Sequence, residues 1–138
     1  MPNKIKQTPI QHIVFTLACL MGSAICIGVR ILRHDVSEYS SGFKYLLGIA
    51  PNFGAALAIL FGIEIYYTIL IKKLKVMNCS FKEFGLIALV TFLGLALWEL
   101  LQFLFWAYPI DVYDIMATVA GIVFSILLFL ITPNKQLP

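Results

Sequence analysis

The sequence predicts an all-α, polytopic membrane protein, a bundle of four transmembrane helices forming one domain over residues 1–138. Two observations carry the prediction. Apolar residues make up 61% of the chain and charged ones only 12%, with a mean hydropathy of +0.94; a soluble domain holds ~45–50% and ~25%. Four apolar runs also approach or exceed the ~20 residues that a helix needs to cross hydrocarbon. They cover approximately 12–32, 51–71, 84–106 and 115–131. These spans and their short connections use up the 138 residues and leave no length for a soluble catalytic domain.

The first run follows a short polar lead with Pro2, Lys4, Lys6 and Pro9. Although the basic lead resembles that of a secretory signal, the apolar stretch continues to Val29. That exceeds the ~7–15 residues of a cleaved h-region, so a retained helix is expected. Its small residues Gly22, Ser23, Ala24 and Gly28 suit close helix contact. Cys19 and Cys26 lie seven apart in this span, where thiols behave as small hydrophobes.

The second run reaches back to Tyr45 but is interrupted by Pro51. Proline lacks an N–H and disfavours helical geometry at the preceding residue. The expected helix therefore starts at Pro51, a favourable first position. Residues 45–50 are left either as part of that helix or as a re-entrant or interfacial piece. Glu64 falls in the inner half of this span, where a carboxylate calls for a partner.

The third run ends in Trp98, Trp106 and Tyr108, rings suited to a membrane interface, and Pro109 stops it. Asp111 or Asp114 then caps the fourth, where free N–H groups favour a carboxylate. The cations are distributed unevenly. Lys4, Lys6, Lys72, Lys73, Lys75, Lys82 and Lys135 share one side of a four-span topology, while Arg30, Arg33 and Lys44 share the other. The positive-inside bias puts both termini in the cytoplasm. The net charge of +3 reflects these flanks, with no aromatic-interleaved basic surface for nucleic acid.

Functional chemistry concentrates between residues 98 and 121. Glu99 and Gln102 project from one face of the third helix, and Asp111 and Asp114 from the start of the fourth. A short turn makes the two helices antiparallel neighbours, so the pairs approach each other. Glu99 lies seven residues before Trp106, roughly 10 Å below the interface. An ionisable group at such depth is by default a candidate site. Arg30 and Asn52, at the same end of the first two helices, are candidate partners. The candidate cluster is Glu99, Gln102, Asp111, Asp114, Asn52 and Arg30.

Three functions fit these residues. The first is non-enzymatic binding of a lipid or glycopeptide-related group at the outer leaflet. The second is a membrane-embedded hydrolase or transferase using Glu99 with Asp111 or Asp114 as acid and base. The third is proton-coupled transport through Glu99 and Glu64. No spacing calls for a metal or other cofactor, and no phosphate loop, His-Glu-x-x-His run or nucleophile elbow occurs. Membrane lipids are the expected partners; the oligomeric state is left open.

At these same residues the chain resembles the VanZ-like family of small bacterial membrane proteins. That family pairs an acidic residue with a following Gln near the end of one span, then leads through a short loop and an Asp into a final helix bearing a polar residue and Gly. Here the pattern reads Glu99-Leu-Leu-Gln102, then Asp111-Val-Tyr-Asp114 through Thr118 to Gly121. The family often has Asn at the position of Thr118, and Arg in the loop where this chain has Asp111. The resemblance implies a bacterial plasma-membrane protein of the cell envelope. The family's name member is linked to low-level resistance to the glycopeptide teicoplanin.

Overall fold

A computed structural model describes residues 9–34, 39–67 and 80–132. The described residues form four helices: α1 (Pro9–Leu32), α2 (Ser41–Tyr66), α3 (Phe81–Trp106) and α4 (Val112–Ile131). All four are long and apolar enough to cross a membrane. Large apolar side chains are exposed along each of them, Leu17, Ile59, Leu93 and Leu127 among them. In water such a surface would drive aggregation, whereas against hydrocarbon it is the expected exterior.

Their packing is uneven. α2 is central, lying along α1 on one side and α4 on the other, with α3 set against both α2 and α4. The α1–α2 contact is set by two glycines. A Cβ on Gly22 would stand 2.5 Å from the Gly54 carbonyl oxygen and 2.7 Å from the Ala58 nitrogen, so the two backbones touch. On either side of this contact the thiols of Cys19 and Cys26 donate to the carbonyls of Ala58 and Pro51, both at 3.5 Å. The cysteines thus serve as small packing residues with weak donors. Gly121 does the same work between α4 and α2, where a Cβ would meet Ala56 Cβ at 2.8 Å. Small residues at helix contacts replace the hydrophobic drive that lipid cannot supply.

One end of the bundle is closed by four rings, one from each helix: Phe15, Phe61, Phe84 and Phe129. Phe84 and Phe129 stack at 4.2 Å between centroids, and Phe15 lies 4.9 Å from Phe61. At this end α3 starts three residues earlier than the expected 84. Ser80 and Glu83 form a reciprocal capping box: Glu83 N–H donates to Ser80 Oγ, and Ser80 N–H to Glu83 Oε2 at 2.7 Å.

α2 departs most from expectation. It begins at Ser41, ten residues before Pro51, so 45–50 belong to the helix and Pro51 stands inside it. The physical reason is Arg33. Proline has no N–H to give the carbonyl of Leu47, four residues back. Arg33 supplies donors in its place: Nη2 lies 2.7 Å and Nε 3.2 Å from the Leu47 oxygen, and Nη2 lies 3.1 Å from that of Gly48. Side chains that re-satisfy freed backbone groups are what allow proline within a span. The expected end of this span at Ile71, the lysines 72, 73 and 75, and Cys79 lie outside the described residues.

Candidate functional site

At the end opposite the four rings, α3 stops at Trp106. Ala107 caps it in the left-handed conformation, φ 54°, and its N–H donates to the Phe103 carbonyl. Pro109 prevents continuation. Asp111 then caps α4 through its side chain, which accepts from Tyr113 N–H at 2.8 Å. α4 accordingly begins three residues before the expected 115.

This turn brings the two polar pairs together. Gln102 Nε2 donates to Glu99 Oε1 at 3.4 Å, a long bond within one helix face. Both Asp111 and Asp114 are close enough to act electrostatically on Glu99. Asn52, one residue beyond Pro51 on α2, stands near enough to Asp114 for its carboxamide to favour the carboxylate. Three helices thus contribute to one cluster: Asn52 from α2, Glu99 and Gln102 from α3, and Asp114 from α4, with Asp111 in its turn. Carboxylates gathered in this way make a cation their natural complement.

Arg30 is not among them. It is exposed on α1, and Glu99 finds its hydrogen bond within its own helix. α1 packs along α2 and has no comparable contact with α3, so the helix packing does not bring residues 30 and 99 together. Arg33, three residues on, is the cation whose charge reaches Asp114. The extended α2 adds Tyr45, whose ring meets that of Tyr113 edge-on at 5.3 Å and lies within reach of both aspartates. Neither residue stands out in the sequence. Pro51 signals that the Leu47 carbonyl needs a donor, but not which arginine provides it.

Two spaces adjoin the cluster. Glu99 faces α4 across a crevice shared with Ile115 and Thr118, too narrow for a water molecule. On the other side a groove of about 590 Å³ runs between α1, α2 and α3, lined by Cys26, Asn52, Ile59, Thr91, Gly94 and Trp98 among others. Asn52 belongs to both cluster and groove, and Trp98 of the groove precedes Glu99 in the chain. The volume lies within the ~300–1,000 Å³ of sites that hold small ligands. Nothing in the sequence announced the groove, because it depends on how far α3 stands from α1.

Among the described residues, no three His, Cys, Asp or Glu side chains are grouped as metal ligands. Glu64 is fully buried on α2, in the half nearer the four rings. No family model matches this chain, and neither does any curated protein or solved structure. What is established is an all-α integral membrane protein with four apolar helices of spanning length.

Proposed function

We propose that this protein is a non-enzymatic, VanZ-like component of a bacterial plasma membrane, with both termini in the cytoplasm, that binds a lipid or a glycopeptide-related group at the outer leaflet. One observation carries the reading: Glu99, Gln102, Asp111, Asp114 and Asn52, from three helices, meet beside a groove of ligand size. The charge asymmetry of the sequence supports the outer placement of that end. The resemblance over Glu99–Gly121 supports the envelope setting.

Binding fits this geometry better than hydrolysis. Glu99 borders a crevice that admits no water, whereas the open space lies on the Asn52 and Trp98 side. A hydrolytic acid–base pair needs its water within hydrogen-bond reach.

The test is the double substitution Glu99→Gln with Asp114→Asn, which keeps the shapes and removes two charges. Lipid co-purifying with the protein, and glycopeptide sensitivity of cells expressing it, are both measured against the parent. Loss of both effects in a well-expressed, folded variant is the expected result. Unchanged lipid content together with unchanged sensitivity overturns the reading.

A further inference from the structure

The stretch of α2 before Pro51 is built differently from the rest of that helix. Ser40 stands at the N-cap position, but its side chain makes no capping bond. Gly42 and Gly48 lie in this stretch, and a Cβ on either would meet nothing within 4 Å. Neither glycine serves a close contact, and each weakens the helix through its extra backbone entropy. Of the buried residues on α2, only Leu47 precedes Pro51; the others, from Gly54 to Glu64, all follow it. Residues 41–46 are exposed throughout. Pro51 then removes one of the helical hydrogen bonds that would tie this stretch to the helix beyond it. Residues 41–50 are left with little helical stability of their own.

Contacts with two other helices hold them instead. Just past the end of α1, Arg33 donates to the Leu47 carbonyl from Nη2 at 2.7 Å and from Nε at 3.2 Å, and to that of Gly48 from Nη2 at 3.1 Å. On α4, the ring of Tyr113 meets that of Tyr45 edge-on at 5.3 Å. The Tyr113 N–H is itself held by Asp111 Oδ1 at 2.8 Å, so this second contact is made at the polar cluster. Parting these contacts breaks the bonds of one cation and one ring pair. Unfolding the rest of α2 would also break the backbone contact of Gly54 with Gly22. The stretch can therefore open while the bundle stays intact.

We propose that residues 41–50 form a hinged clasp that pivots at Pro51, is held shut by Arg33 on one side and Tyr113 on the other, and in opening uncovers the cluster of Asn52, Asp111 and Asp114. What opening admits rests on the binding reading above; the hinge itself does not.

Amide hydrogen exchange of the full chain in micelles, resolved by peptide with mass spectrometry, compares residues 41–50 with 53–66. In the parent the first stretch should exchange as one unit, at least tenfold faster than the second. Arg33→Met should speed 41–50 by a further factor of about ten, the worth of one hydrogen bond from a charged donor, and leave 53–66 unchanged. Tyr113→Ala should act in the same direction by about threefold, the scale of one aromatic pair. Pro51→Ala restores the missing N–H and should slow 41–50. Arg30→Met, at an exposed position, should change neither stretch. Equal acceleration of both stretches in Arg33→Met overturns the hinge, because the helix then moves as one body. Exchange of 41–50 as slow as that of 53–66 in the parent overturns it too.

A second experiment asks whether opening governs access. Tyr45→Cys with Tyr113→Cys, in a chain whose native cysteines are replaced by alanine, is joined by a short bismaleimide. Native mass spectrometry follows the replacement of retained dioleoyl phosphatidylglycerol by its deuterated form. Joining should slow that replacement about tenfold against the same variant before joining. Equal rates before and after overturn the clasp as a gate. If the parent retains none of this lipid, the gate falls with the binding reading, and amide exchange alone decides the hinge. Helical circular dichroism and monodisperse elution establish that each variant is folded.

Discussion

The two flanks of α2 are built on opposite principles. Towards α1, Gly22 and Gly54 bring backbone against backbone, and no atom can be added without displacing a carbonyl. Towards α3, the helix opens onto a groove of about 590 Å³, and Gly94 on the far wall touches nothing. The same residue type therefore has opposite meanings on the two sides. At Gly22 the missing side chain permits contact; at Gly94 it leaves room. Glycine in a membrane helix is not by itself a sign of tight packing.

The contrast can be broken most forcefully at the tight flank. Gly22→Leu should unfold or disperse the bundle, with a loss of about 3 kcal/mol or more, because backbone atoms 2.5–2.7 Å from the new Cβ have nowhere to go. Gly94→Leu, the same exchange on the open flank, should leave stability unchanged or raise it slightly. Thermal unfolding in micelles followed by circular dichroism compares the two; equal losses would end the distinction.

A smaller effect is expected where α2 passes its proline. Arg33→Met should cost about 1–3 kcal/mol by leaving the Leu47 carbonyl without a donor. Pro51→Ala restores the missing N–H, and should recover most of that loss when combined with Arg33→Met. Arg30→Met, at an exposed position, should stay within about 0.5 kcal/mol. If Pro51→Ala fails to rescue, Arg33 stabilises the helix by some other route.

The smallest change sharpens the open flank. Gly94→Ala should stabilise α3 by about 0.5–1 kcal/mol, since alanine loses less backbone entropy and its methyl group enters empty space. The same measurement in micelles would detect it, and a destabilisation would mean that the groove wall is closer than the geometry indicates.

Much of this was legible in the chain. Hydropathy alone marked the four helices, because a lipid-exposed surface leaves few positions for polar residues. Pro109 and Trp106 placed the end of α3, and the carboxylate pair at 111 and 114 announced the start of α4 with its cap. The spacing of Glu99, Gln102, Asp111 and Asp114 brought them together across a short turn, which local geometry enforces. Other features were not legible. Pro51 read as a helix start because its own chemistry argues for one; only an arginine eighteen residues earlier makes it an interior residue. Arg30 and Arg33 are equivalent by composition and distance, and the choice between them rests on the rotation of α1 against α2.

What the sequence determined by itself was therefore everything set by near neighbours and by the solvent: four spans, their approximate ends, the caps, and the meeting of two polar pairs. Apolar length and local hydrogen-bond demand are written residue by residue. The tertiary structure alone decided which cation reaches the cluster, how α2 survives its proline, and where the bundle is tight or open. Those depend on helix rotation and separation, which follow from contacts between residues far apart in the chain.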